Sequence, residues 1–223
     1  MSGPRIALAV LKKDLLVDLR SRDRLGHMLL FAALVVVVIS IVFRAASAET
    51  REAILPLLWI TFLFTSILGL GRSFQAETED AAWVNLVLIP ADRGWVCLGK
   101  ASANLMALLV VQLWTALLAT VLLGIDWSRA PGTAALAGIL GAIGLSVLGT
   151  LLSALSASAR FREFLLPVLL FPLILPVLVF ATDLTGEALA GRPFAARSAG
   201  ALALFDWVFA LIGYLGFDYL VEE

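Results

Sequence analysis

Six stretches of this chain are nearly free of charge, and each is long enough to cross a lipid bilayer as a helix. They cover residues 25–43, 54–70, 101–123, 133–155, 164–182 and 199–219. A hydrocarbon core of roughly 30 Å takes about 20 residues at about 1.5 Å per residue. A core helix of a soluble domain has no need of such runs. The chain is 61% hydrophobic and 15% charged, against roughly 45–50% and about 25% in soluble domains. The expected fold class is therefore an all-α membrane protein with six transmembrane helices.

The first apolar run is preceded by a segment of a different kind. Over residues 4–24, Ile6, Val10, Leu11, Leu15, Leu16 and Leu19 alternate at helical spacing with Lys12, Lys13, Asp14, Asp18, Arg20 and Arg22. This pattern predicts an amphipathic helix lying in the membrane interface rather than crossing it. It lacks the short apolar core of a cleavable signal peptide. The expected organisation is residues 1–24 as the interfacial helix and residues 25–223 as one six-span membrane domain, with the lipid bilayer as surroundings.

Six spans place both termini on one side. That side would carry Arg5, Lys12, Lys13, Arg20, Arg22, Arg24, Arg72, Arg93, Lys100, Arg160 and Arg162. The other would carry Arg44, Arg51, Arg129, Arg192 and Arg197. Basic residues favour the cytoplasm, so both termini are expected there. The long polar segment 71–100 is then cytoplasmic too.

Several kinds of chemistry are hard to build from this composition. The chain has one cysteine, Cys97, and one histidine, His27. It therefore has no disulfide framework and no obvious ligand set for a metal or haem. His27 reads as an interfacial residue and Cys97 as packing. No segment matches the phosphate loop G-x-x-x-x-G-K-[ST], and a lone histidine leaves no Ser–His–Asp arrangement. The expectation is a non-catalytic chain that binds no cofactor of its own. A net charge of −1 argues against nucleic acid as a partner. Within the spans, Asp218 is expected at the inner interface. Asp206 is expected close enough to the outer face to reach water. That leaves no relay of buried carboxylates, which counts against an ion-coupled transporter.

Two patterns bear on helix packing. In the fourth span Gly138, Ala142, Ser146, Thr150, Ala154 and Ser158 recur every fourth residue. Such a stripe lets a neighbouring helix approach closely. In the fifth span Pro167, Pro172 and Pro176 each remove a backbone hydrogen bond. They predict a kinked or broken helix, which is either a hinge lining a path or a static bend.

The segment 71–100 is the longest expected inward loop. It contains Arg72, Phe74, Glu77, Glu79, Asp80, Pro90 and Lys100. Residues 74–89 read as a half-apolar helix that Pro90 stops. The order of parts is an interfacial helix, two spans, an acidic inward helix and four spans. It resembles the membrane subunits of ABC exporters of the ABC-2 type, and above all the cytochrome c maturation permeases of the CcmB type, often called haem exporter protein B. The likeness is carried by RSFQAETEDAAWVNLVLIPADRGWVCLGK and by the proline-spaced LLPVLLFPLILPVLVFAT. In the first, Phe74, Glu77, Asp80, the run 86–89, Pro90 and Lys100 match the family pattern. Gly71 and Ala81 depart from it, where the family commonly has an acid and a glycine.

The resemblance implies a permease of the bacterial inner membrane that forms a homodimer with a second copy and docks a cytoplasmic ATP-binding subunit. It also implies a haem-handling membrane subunit, a small single-span subunit and a periplasmic haem chaperone as partners, with ATP and haem handled by those subunits. Arg72, Phe74, Glu77, Glu79, Asp80 and Pro90 would then couple the chain to the ATPase. An ABC-2 permease for another substrate, such as a lipid or drug, and an assembly factor that needs no ATPase remain as alternatives.

Overall fold

A computed structural model describes residues 3–21, 23–44, 52–73, 93–156, 162–192 and 195–221. Among these residues the chain is helical, with no strand. The helices are α1 (Gly3–Ser21), α2 (Asp23–Phe43), α3 (Ile54–Ser73), α4 (Gly94–Leu123), α5 (Pro131–Ser156), α6 (Arg162–Leu189) and α7 (Ala196–Val221). A 3-10 turn, Trp127–Arg129, precedes α5. The six helices α2 to α7 are each long and apolar enough to cross a membrane. The expected all-α, six-span class is therefore found.

The helix ends differ from the apolar runs in informative places. Helix α4 begins at Gly94 rather than at residue 101, so residues 94–100 belong to a span and not to the loop. The reason is packing: Val96, Cys97, Gly99 and Lys100 are buried. At the other end of the same segment, residues 71–73 close α3. Helix α6 continues to Leu189, through residues expected in a polar loop. Ala181, Leu184 and Ala188 keep one face buried there, while Asp183 stays exposed. A helix whose polar residues point outward reads as a loop by composition alone.

Helix α5 is the centre of the bundle and packs against α3, α4, α6 and α7. Its closest contacts are made at glycines. A Cβ on Gly149 would lie 2.2 Å from Leu70 of α3, and one on Gly141 would lie 2.4 Å from Trp59 of the same helix. A Cβ on Gly144 would lie 2.8 Å from Asp206 of α7 and 3.1 Å from Val177 of α6. Close backbone approach of this kind drives association where apolar burial gains nothing against lipid. Large apolar side chains of α2, α4, α6 and α7 are exposed around the perimeter, as expected of a surface solvated by hydrocarbon.

The two ends of the bundle are unlike. At one end α1 packs across the first turns of α4. Gly99 of α4 meets the Ala7 carbonyl oxygen of α1, which a Cβ would approach to 2.7 Å. At the far end α4 stops at Gly124, whose φ of 68° is left-handed, a conformation that favours glycine. Asp126 then accepts hydrogen bonds from the Ser128 N–H at 2.9 Å and from the Ser128 hydroxyl at 2.6 Å. These bonds hold the Asp126 carboxyl below its usual range.

Candidate functional site

The α1 end contains a connected set of charged and polar groups inside the bundle. Asp14 and Asp18 are the acids of α1, and both turn inward. Asp14 Oδ2 lies 3.2 Å from Lys100 Nζ of α4. The Lys100 side chain is 1% exposed, which is rare for a lysine. One turn along α1, Asp18 meets Arg24 of α2. Arg24 Nη1 donates to Asp18 Oδ1 at 3.5 Å and lies 3.3 Å from Oδ2.

Arg24 continues the set into the apolar interior. Its Nη2 donates to Asn104 Oδ1 at 2.8 Å, and Asn104 Nδ2 donates to Thr150 Oγ1 at 2.8 Å. Thr150 Oγ1 in turn donates to the Ser146 carbonyl at 2.6 Å. Helices α1, α2, α4 and α5 are thus joined by charge-assisted and neutral hydrogen bonds. Among the described residues the set is not fully satisfied: Arg24 Nε is buried without a hydrogen-bond partner there. Burial pushes the Asp18 carboxyl above its usual range, with Arg24 pulling in the other direction.

The position of this seam matters. It sits within the first turns of α4, directly after the segment that joins α3 to α4. Of the residues expected to couple to a partner, Phe74, Glu77, Glu79, Asp80 and Pro90 lie outside the described residues. Arg72 lies in the last turn of α3. What is described is where the segment is anchored: α3 on one side, and on the other a helix start clamped by α1 and α7. Gly94 packs on the Tyr214 carbonyl of α7, and Trp95 and Tyr214 stack edge to face with ring centroids 5.6 Å apart.

The small stripe of α5 is buried from Ala142 to Ala154, with Gly138 half-buried; Ser158 lies outside the described residues. Gly138 faces Gln112 of α4, and Thr150 bonds Asn104 of α4. The three prolines do not break α6, which runs uninterrupted from Arg162 to Leu189. Pro172 and Pro176 are exposed and Pro167 is half-buried. A proline facing outward removes one hydrogen bond without disturbing the packed face.

Two expectations are corrected. Asp206 does not reach water: it is 6% exposed, and both carboxyl oxygens are buried without a hydrogen-bond partner among the described residues. A Cβ on Gly144 of α5 would lie 2.8 Å from its Oδ1. Lys100, expected in the inward loop, lies inside α4 as a buried ion-pair partner, and Arg24 is a half-buried one. The signal available in sequence was the placement of Asp14 and Asp18 four residues apart, on the same face of α1 as Ala7 and Leu11.

The far end holds an apolar cavity of about 550 Å³ between α3, α4, α5, α6 and the Trp127 turn. Trp59, Phe62, Gln112, Thr115 and Trp127 are among its walls. Trp59 Nε1 donates to Thr185 Oγ1 at 3.2 Å, while Gln112 Oε1 is buried without a partner among the described residues.

Residues 5–214 match the CcmB protein family. The chain belongs to that family. Among CcmB relatives, the "Heme exporter protein B" of Rhodobacter capsulatus is 29% identical over 191 residues, covering 82% of this chain and 84% of the relative. The protein of the same name from Haemophilus influenzae is 26% identical over 198 residues, covering 87% of each chain. That of Pseudomonas aeruginosa is 28% identical over 175 residues, covering 78% of each. The CcmB match spans α1 and all six spans, so the charged seam lies within it.

Proposed function

We propose that this chain is the membrane-spanning permease subunit of an ABC complex for cytochrome c biogenesis. A partner ATP-binding subunit hydrolyses ATP. The permease transmits that work to haem delivery, or to release of a haem-loaded periplasmic chaperone. Haem is cargo in this reading and not a resident group of the chain. The relatives' shared name supports the substrate class. The α1 end is cytoplasmic in this reading, in a bacterial inner membrane, and the permease works as a homodimer beside the haem-handling and single-span subunits.

The observation that carries the mechanism is the anchoring of α4. Force applied to the segment between α3 and α4 arrives at Gly94. From there it meets the ties of Lys100 to Asp14 and of Arg24 to Asn104. Two ion-paired helices, α1 and α2, must move with α4 or let go of it. Packed interfaces of this kind have discrete arrangements rather than continuous ones. Arg72, Phe74, Glu77, Glu79, Asp80 and Pro90 form the receiving surface, with the three acids facing basic groups of the ATPase.

Charge reversal at Glu77, Glu79 and Asp80 tests this. The ATP-binding subunit is expected to be lost on co-purification, and with it the stimulated ATPase activity. Retention of both would overturn the coupling role.

The cavity favours a second reading, an ABC-2 permease for a lipid or drug. Among the described residues its walls are almost wholly apolar and include no histidine, cysteine, methionine or tyrosine, the side chains that serve as axial ligands of haem iron. Absorbance of haem in the purified complex separates the two readings.

A further inference from the structure

The inward turn of Asp14 and Asp18 has a consequence for the opposite face of α1. These are the acids of the helix, and cations of the membrane domain hold both of them. The outward face is therefore left with cations alone. Arg5, Lys12 and Arg20 are exposed there, as is Lys13, which also lies 3.2 Å from Asp14. The same outward side carries Leu8, Leu16, Val17 and Leu19 at 63%, 56%, 52% and 65% exposure.

This mixture selects the kind of surface it meets. Bulk water would leave four large apolar side chains solvated. Hydrocarbon would leave three cations unsolvated. The headgroup boundary of a bilayer accepts both, because lysine and arginine reach outward while leucines enter the acyl region. The level is right as well. Trp95 and Tyr214 pair beside the start of α1, and such aromatic residues gather at membrane interfaces. The contacts of α1 with α4 described above fall between Trp95 and Lys100, so the helix stays at the end of the bundle.

We propose that the outward face of α1 is a binding surface for anionic phospholipid headgroups, made wholly cationic because Lys100 and Arg24 withdraw its two acids. Charge complementarity decides the occupant. A zwitterionic headgroup gains little from an acid-free cationic stripe, whereas each cation near an anionic surface strengthens attachment by up to about fivefold. This surface does not depend on what the complex transports.

The test uses the full chain reconstituted in phosphatidylcholine vesicles doped with spin-labelled phosphatidylglycerol or spin-labelled phosphatidylcholine. The fraction of each label immobilised by the protein is read by electron paramagnetic resonance. The parent protein is expected to hold the phosphatidylglycerol label several-fold in preference, and less so at high salt. The triple variant R5Q/K12Q/R20Q is expected to bring the preference close to unity, and the charge-conserving R5K/K12R/R20K to keep it. Equal immobilisation of both lipids by the parent would overturn the proposal. So would a preference unchanged in the triple glutamine variant. If those substitutions instead weakened co-purification of the ATP-binding subunit while the lipid preference stood, the face would belong to a protein and the proposal would fail.

Discussion

Lys100 Nζ of α4 stands 3.2 Å from Asp14 Oδ2 of α1, with the lysine side chain buried and the aspartate 15% exposed. A lysine is held at that depth only where a partner offsets its lost hydration. The pair therefore fixes where the amphipathic helix meets the spans, and it does so within two turns of the segment that joins α3 to α4.

A double-mutant cycle on Asp14→Asn and Lys100→Gln measures that tie. Contacting charges typically show non-additive coupling of about 0.5–3 kcal/mol. We expect the double variant to be less destabilised than the two single variants together, by an amount in that range, in denaturant unfolding of the detergent-solubilised protein. Strict additivity would show that the contact carries no energy.

Asp18 gives a pH dependence with a defined sign. Burial raises its folded-state pKa above the unfolded value, against the pull of Arg24. An acid shifted upward takes up protons on folding, so its ionised form is a burden that is relieved as pH falls through the folded-state value. In Asp18→Asn this contribution is absent. The melting temperature of the parent is expected to rise relative to Asp18→Asn as pH is lowered from neutral. A relative fall would mean that the ion pair with Arg24 outweighs desolvation.

The parts of this chain that were legible in sequence are those governed by one-dimensional rules. Apolar length marked the spans, and charge alternation marked α1. What escaped depends on neighbours. Lys100 looked like a loop cation because nothing in its own segment reveals Asp14, which lies 86 residues earlier. Residues 183–189 looked like a loop because Asp183 and Glu187 sit on the outer side of a helix that keeps Leu184 and Ala188 inside. The small stripe of α5 pointed to close packing without naming a partner; Gly138 and Thr150 meet α4. The tightest contacts of α5, at Gly141, Gly144 and Gly149, fall outside that stripe because three further helices surround it.

Glycines give a paired test of the α1 contact. A Cβ at Gly99 would meet the Ala7 backbone oxygen at 2.7 Å and Val10 Cβ at 2.9 Å, and neither is the end of a flexible side chain. A Cβ at Gly216 meets nothing within 4 Å. Gly99→Ala is expected to destabilise by about 1–3 kcal/mol, as overpacking does. Gly216→Ala should stay within about 0.5 kcal/mol. Thermal denaturation of both variants in one detergent makes the comparison, and equal effects would refute the close approach.

Asp206 is buried within α7. Its Oδ1 faces Gly144 of α5, and both carboxyl oxygens receive no hydrogen bond among the described residues. A polar group buried without a partner costs free energy that no contact returns. Asparagine keeps the shape of the side chain and removes its acidity, so Asp206→Asn should melt at the same temperature as the parent or higher. Ionisable groups kept inside membrane bundles mark functional positions by default, so the same variant is expected to lose activity in the assembled complex even though it folds. Lower stability in Asp206→Asn would mean that the carboxyl has a structural partner, and unchanged activity would mean that its retention is not functional. The contrast between a rising melting point and a falling turnover is the signature of a residue kept for work rather than for folding.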